Sequence, residues 1–345
     1  MDAQGLKSLY YQMVRIRMVE ERIAELYPEQ EMRCPVHLCI GQEAVAVGVC
    51  ANLSRDDYVQ SGHRSHGHYL AKGGDLRAMI AEIYGRATGC SRGRGGSMHL
   101  VDLPVGFLGA TPTVASTIPI AVGAAFGTAM RGEQHVTVSF FGEAATEEGA
   151  FHESVSFAAL KSLPVVFVCE NNLYSVYSPL SVRQPPDREV FRLAQGHGVE
   201  SFQDDGNDVL AVCRLAERAV RKARQGGGPT FLEFRTYRWR EHCGPAYDND
   251  LGYRSESEFQ HWKRFCPIER LGARLLQEGV LSHRDVEEMA AKLKAEIDDA
   301  VAFAKGSPFP ERSHLLEHIY APDHGEESAG EGQAAEVLSG HQRSD

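Results

Sequence analysis

Apolar residues return at helical spacing among charged ones between Leu6 and Leu26, as in Met13, Ile16, Val19 and Ile23. The spacing predicts an amphipathic helix that packs across a surface. From about residue 107 the texture changes. Val136-Thr137-Val138-Ser139-Phe140-Phe141 reads as a strand ending at Gly142, and Phe151, Val155, Ala158 and Ala159 then fall on one face of a helix. Pro164 to Cys169 is almost wholly apolar, the pattern of a parallel strand covered on both faces. A helical stretch from Val209 to Arg224, the break Gly226-Gly227-Gly228 and the strand Thr230 to Phe234 complete the order strand, helix, strand, helix, strand. This alternation predicts an α/β fold with a doubly wound, mostly parallel sheet flanked by helices. The stretch from Glu256 to about Lys305 is charged and helical in period, and it stops near Pro308 and Pro310. Beyond Pro322 the chain is rich in Gly, Ser, Glu and Gln and has little to bury, which predicts a disordered tail. The expected organisation is a helical segment over 1–28, an α/β domain with C-terminal helices over 29–321, and a tail over 322–345.

Composition narrows the function classes. With 345 residues, 43% of them hydrophobic, the chain can bury a sizeable core and reads as a soluble globular protein. A net charge of −11, from 47 acidic against 36 basic residues and with no long basic run, argues against nucleic acid as the main ligand. The cysteines at 34, 39, 50, 90, 169, 213, 243 and 266 form no Cys-x-x-Cys pair, so neither a zinc site nor a redox dithiol is signalled. Met1-Asp2-Ala3-Gln4 does not open a charged and then apolar leader, and no window reaches about 18 uninterrupted apolar residues. A cytoplasmic protein with reduced thiols and no membrane partner is the expectation.

The most informative segment runs from Gly142-Glu143-Ala144 to Asn171-Asn172. It puts an acid after one strand and an amide after the next, 29 residues apart by position. In a parallel sheet both lie at the carboxyl edge, where open α/β sheets bind ligands, and the helix starting near Glu147 directs its positive N-terminus into the same crevice. An acid, an amide oxygen and a helix N-terminus suit a divalent cation holding a diphosphate, because Mg²⁺ prefers hard oxygen ligands and takes some from phosphate. Taken alone, an acid in such a turn serves equally well as a helix cap.

Together with Gly149, Phe151-His152-Glu153, Leu163-Pro164, Cys169-Glu170 and Tyr174, the segment resembles the thiamine diphosphate motif of the α subunits of 2-oxo acid dehydrogenase E1 components. That motif is usually Gly-Asp-Gly, about thirty residues, then Asn-Asn. The resemblance extends from His37-Leu38-x-x-Gly41-Gln42-Glu43-Ala44 to about Tyr320. It implies the thiamine-diphosphate fold of transketolase type, with Glu143, the Asn172 side chain and the Tyr174 carbonyl holding Mg²⁺, and Gly142, Ala144 and Ala145 beside the diphosphate. Here Glu143 and Ala144 stand where the family has Asp and Gly. Glutamate is one methylene longer and still an oxygen ligand, while Ala144 adds a methyl group near the diphosphate.

Further positions follow from the same likeness. Ser61-Gly62-His63-Arg64-Ser65-His66-Gly67 matches the segment carrying a Tyr-Arg pair, so Arg64 would clamp a phosphate with its forked donors and His63 would stand in for the Tyr. Without the likeness, such a polar loop reads as solvated surface. Gly93-Arg94-Gly95-Gly96-Ser97-Met98-His99 is a weak phosphate signal by itself; in the family it lies by the active-site mouth, with a histidine at the place of His99. Val114 would touch the aminopyrimidine through its backbone. Arg238 would be a second diphosphate clamp, and His242 the loop histidine facing substrate and lipoyl group. His242, His66 and His99 are the candidate catalytic residues. Cys243 occupies the place of a regulatory serine in many relatives of eukaryotic type, which excludes phosphorylation there.

The chemistry implied is decarboxylation of a 2-oxo acid on thiamine diphosphate, followed by acyl transfer to lipoyl-lysine of an E2 protein. The glutamate that protonates the aminopyrimidine resides in this family on a β subunit, so an α₂β₂ assembly is expected. Cleavage of an acyloin such as acetoin, or carboligation, uses the same cofactor and stays open. Outside this class stand a metal-dependent hydrolase reusing Glu143, which would not need Arg64, Arg238 and Asn172 together, and a cofactor-free interaction subunit.

Overall fold

The computed structural model describes residues 1–317 and 319, which fall in two compact units, Met1–Phe309 and Pro310–Asp345. The tail expected over 322–345 lies outside the described residues. In the second unit the described part holds one 3₁₀ turn, Arg312–Leu316.

The first unit contains eight strands: β1 (Tyr58–Ser61), β2 (Phe107–Ala110), β3 (Thr137–Gly142), β4 (Val165–Asn171), β5 (Tyr174–Ser175), β6 (Ser178–Pro179), β7 (Glu200–Asp205) and β8 (Thr230–Arg235). Six form one sheet in the order β2-β1-β3-β4-β8-β7 with every pairing parallel, while β5 and β6 make a small antiparallel hairpin. The central strands are apolar on both faces because both faces are covered. Val138, Phe140, Val166, Val168, Leu232 and Phe234 enter one core, and Phe141, Val165, Phe167, Cys169 and Phe231 enter the other. The α/β reading of the sequence therefore holds.

Three features depart from the periodicity. β1 carries Gln60 and Ser61, both buried, so its polar residues hid a central strand. β7 is an edge strand of sequence Glu-Ser-Phe-Gln-Asp-Asp, half exposed and without clear alternation. The charged stretch after residue 256 is three helices, Glu256–Lys263, Pro267–Gln277 and His283–Gly306. Pro267 opens the second and the Ser282–Asp285 capping box opens the third. Among the described residues no helix is long and apolar enough to cross a membrane.

The first helix, Ala3–Leu26, begins at Asp2, whose carboxylate accepts the Gly5 N–H at 2.8 Å, and buries Leu9, Met13, Ile16, Val19 and Ile23. Its polar residues reach into the unit. Arg17 grips the buried Glu43 carboxylate with Nε at 2.5 Å and Nη2 at 2.9 Å, and lies 4.2 Å over the Trp239 ring. Glu43 also accepts the Gly41 N–H at 3.1 Å. The helix thus pins the segment Gly41-Gln42-Glu43 beneath the carboxyl edge of the sheet. Gly41 has φ +97°, and a Cβ there would sit 2.5 Å from Trp239 Cδ1 and 2.6 Å from the Tyr237 carbonyl oxygen.

Gly41→Ala is accordingly expected to lower stability by roughly 2–5 kcal/mol, the sum of a left-handed backbone penalty and overpacking. Urea denaturation monitored by circular dichroism checks this. A loss under about 1 kcal/mol would mean that Trp239 yields without cost.

Candidate active site

β1 lies between β2 and β3, so the chain leaves β1 toward one side of the sheet and returns on the other. At such a switch point the connections diverge and leave a crevice at the carboxyl ends. A cavity of about 210 Å³ occupies it, lined among others by His63, Arg64, Val114, Gly142, Glu143, Ala144, Ala145, Asn172, Tyr174 and His242. The structure thereby brings together ten of the residues singled out in the sequence.

Three others do not line it. His66 is fully buried, with Nδ1 3.0 Å from Glu20 Oε1 and Nε2 2.8 Å from Ser97 Oγ. Both ring nitrogens are committed to interior partners, so the expected catalytic role has no free atom to act through. His99 is exposed, with Nδ1 on the Gly95 carbonyl at 2.9 Å. Arg238 sits behind the wall, donating to the carbonyls of Arg240 and Val176 at 2.6 and 2.8 Å, to Tyr253 Oη at 2.8 Å and to Asp248 at 3.3 Å. The glycine-rich stretch is likewise occupied: the buried Glu82 carboxylate accepts the N–H groups of Ser91, Gly93, Gly95 and Gly96 at 2.8, 2.8, 2.7 and 3.0 Å. Those amides are not available to a phosphate.

The electrostatics of the cavity favour an anion. The buried Arg64 donates to the Leu38 carbonyl at 2.5 Å and to the His242 carbonyl at 3.3 Å, and among the described residues no carboxylate is paired with it directly, although Glu20 and Glu170 act on its charge from farther off. Burial and then the neighbouring Arg238 lower its pKa to about 10. His37, His63 and His242 form a trio with ring centroids 4.7, 5.1 and 5.2 Å apart. Burial first, and Arg64 next, push these imidazoles down to about 3, about 2 and about 4. Their nitrogens lie within 4.8 Å of one another, a set that suits a transition metal by ligand type. The Arg64 charge beside them repels a cation and attracts an anion instead.

The residues expected to offer oxygen ligands line the same cavity. Glu143 opens a 3₁₀ turn, Glu143–Glu147, which precedes the helix Gly149–Leu160. The α-helix therefore starts two residues later than read from the sequence. Burial raises the Glu143 carboxyl above the ordinary range while Arg183, bonded to it, draws it back. Asn172 follows β4, and its Oδ1 accepts the Tyr174 N–H at 3.3 Å. Leu173 (φ +74°), Val176 (φ +54°) and Ala115 (φ +62°) are left-handed residues other than glycine in or beside the lining segments. Strain of this kind persists where the surroundings enforce it, commonly at functional sites.

Several lining residues escaped the sequence. Both amide atoms of Gln42 are buried without a partner, as is Nδ1 of His37. His68 bridges Ser61 Oγ at 2.8 Å and Glu170 Oε2 at 3.3 Å and stacks on Phe140. His37 and Gln42 stand in the segment that marked where the resemblance begins, so a signal existed; Arg183, which bonds Glu143 without lining the cavity, stands in no motif.

The model of the family described as "Dehydrogenase E1 component" matches residues 11–313. The chain belongs to this family. An α subunit of the pyruvate dehydrogenase E1 component from Porphyra purpurea is 39% identical over 320 residues, covering 91% of this chain and 92% of the relative. The α subunit of acetoin:2,6-dichlorophenolindophenol oxidoreductase from Bacillus subtilis is 39% identical over 314 residues, or 90% and 92%. A pyruvate dehydrogenase E1 α subunit from Rhizobium meliloti is 36% identical over 311 residues, or 90% and 88%. Membership in the E1 family implies thiamine diphosphate as cofactor. The residues present fit its diphosphate end: a buried guanidinium with no carboxylate in direct contact and a Gln42 amide without a partner among the described residues line a cavity that also holds the oxygen atoms of Glu143 and Asn172.

The histidine trio has a consequence for acid stability. In the unfolded chain these groups titrate near 6.5, whereas in the folded E1 chain they stay neutral until pH approaches 4 or lower. Their contribution is full above pH 6.5 and is lost as pH falls, because the unfolded state binds more protons. His63→Gln should therefore flatten the dependence of melting temperature on pH between 6.5 and 4. Parallel curves for both proteins would contradict the assignment.

Proposed function

We propose that this chain is the α subunit of a thiamine-diphosphate-dependent 2-oxo acid dehydrogenase E1 enzyme. It works with a β subunit, in an α₂β₂ assembly, and delivers an acyl group to lipoyl-lysine of an E2 protein. The observation that carries this reading is the buried Arg64 at the sheet's switch point, lining one cavity together with Glu143 and Asn172.

Arg64 holds the diphosphate, and Glu143, the Asn172 side chain and the Tyr174 carbonyl hold Mg²⁺ against it. When bound, thiamine diphosphate supplies the nucleophilic carbon and the electron sink for decarboxylation. His63 and His242, kept neutral, each offer one N–H donor and one acceptor nitrogen at the mouth. His242 lies on the loop through which a second substrate enters. His66 and His99 do not line the cavity and are given no part in this reading, and Arg238 acts from behind the wall by adding positive charge beside Arg64.

A cavity of about 210 Å³ accommodates a diphosphate, but it falls short of the roughly 300–1,000 Å³ of pockets that enclose a whole ligand. The exposed apolar surface beside it supports a partner subunit. Ile120, Gly123, Gly127 and Met130 fall on one face of the helix Thr117–Arg131, and Phe157 and Leu160 are exposed on the helix packed against it.

The isolated chain is expected to release no CO₂ from pyruvate or branched 2-oxo acids with an artificial electron acceptor, and addition of the β subunit should start turnover. Acetoin serves as the alternative substrate in the same assay. In the complex, Arg64→Ala should weaken thiamine diphosphate binding roughly 30-fold (about 2 kcal/mol), the scale of a lost hydrogen bond to a charged group. Asn172→Ala should abolish the Mg²⁺ dependence of binding with the fold intact. Calorimetry that finds cofactor affinity unchanged in both variants would refute the site.

A further inference from the structure

The carboxylate assigned to the metal already holds a cation of the protein's own. Arg183 Nη2 lies 2.5 Å from Glu143 Oε1, and Nη1 is paired with Glu147, so one guanidinium bridges two acids. Its Nε donates to the Ser178 carbonyl at 3.1 Å, and Gln184 Nε2 supports Glu147 at 3.0 Å. The Glu143 side chain is 2% exposed, and Arg183 only 12%.

The two partners differ in how they are held. Glu143 is fixed by β3 and the 3₁₀ turn after it. Arg183 ends a four-residue helical turn, Leu180–Arg183, in which no residue is buried and Val182 is exposed. That turn can move without opening either core. A buried carboxylate left alone carries a large desolvation penalty, which a forked guanidinium offsets. A divalent ion bound to the same carboxylate at about 2.0–2.1 Å would lie within a few ångström of the guanidinium, and in this poorly hydrated place the two positive charges repel. The extra methylene of glutamate, where the family carries aspartate, extends Oε1 toward Arg183.

We propose that Arg183 is a resident counter-cation that occupies Glu143 in the metal-free protein and is displaced onto Glu147 when Mg²⁺ enters with the diphosphate. The exchange balances: Glu143 trades a single positive charge for the metal, and Glu147 keeps the guanidinium. Arg183 then sets how tightly the metal is held, while the diphosphate contacts are left to Arg64. The proposal rests on the reading of Glu143 as a metal ligand.

The test uses the α–β complex. Mg²⁺ is titrated calorimetrically at saturating thiamine diphosphate into the unaltered protein, Arg183→Gln and Arg183→Lys. Removal of the competitor should lower the apparent Mg²⁺ dissociation constant about tenfold in Arg183→Gln, with Arg183→Lys between the two, since a point charge cannot bridge both acids. Melting scans give an independent readout that also reports folding. Without metal Arg183→Gln should melt several degrees lower than the unaltered complex, and metal with cofactor should erase the difference. Equal or weaker Mg²⁺ affinity in Arg183→Gln, with the unaltered complex binding normally, overturns the counter-cation role and leaves the cofactor site standing. If the unaltered complex shows no Mg²⁺-dependent cofactor binding, the metal reading and the counter-cation both fall.

Discussion

Parallel pairing in register is the constraint on which the rest depends. Ser61 lies opposite Phe140, Phe140 opposite Val168, Gly142 opposite Glu170 and Glu170 opposite Phe234. Because all four strands run the same way, their continuations, Gly62-His63-Arg64, Glu143-Ala144-Ala145, Asn172 and Thr236 onward, emerge at one level along one edge. No antiparallel sheet would place four such loops together. The seams are hydrogen-bonded: the Gly62 N–H meets the Phe140 carbonyl at 3.0 Å and the Thr236 N–H meets the Asn171 carbonyl at 2.9 Å. The site is thus a property of the sheet before it is a property of any loop.

What the edge gathers is governed by charge in a poorly hydrated space. Among the described residues Arg64 is buried without a carboxylate in direct contact; Arg238 opposes its charge, Glu20 and Glu170 support it from a distance, and three imidazoles that remain neutral stand beside it. Positive charge so concentrated is unfavourable until an anion arrives, so the energy spent in folding such a site is recovered on binding. Arg238 differs because a carboxylate touches it directly, that of Asp248, which it shares with Arg254. The two arginines that the sequence treats alike are therefore not equivalent: one faces the ligand and the other stiffens the wall behind it.

How much of this was legible in the sequence depends on whether a residue's role is local. β3, β4 and β8 announce themselves because burial on both faces demands unbroken apolar runs. Glu143 and Asn172 follow from strand ends, and Arg64 and His242 from motif order. β1 was illegible because its buried Gln60 and Ser61 resemble a loop, and β7 because an edge strand needs no apolar repeat. His66, read as catalytic, is fixed by Glu20 on a helix 46 residues away in sequence. The glycine-rich stretch is ordered by Glu82, a residue no phosphate motif includes. Arg183 reaches Glu143 across 40 residues. Pairings of this kind are set by tertiary geometry, and no periodicity encodes them.

The same physics bears on the proposed sharing of the cofactor with a β subunit. A sheet edge supplies N–H groups, carboxylates and amides, which suit a diphosphate and its metal. An aminopyrimidine ring needs flat apolar walls and a carboxyl group to protonate it. Within the cavity, Glu143 is committed to a cation and Glu170 to His68. Val114, at the rim, is more than half exposed. Among the described residues the cavity thus offers no spare acid for the ring, and the exposed apolar face on Thr117–Arg131 beside the rim supports the proposed partner subunit. A chain that completed the ring site alone would have to bury Val114 and spare an acid for the ring; among the described residues Val114 is exposed, and both acids of the cavity are engaged.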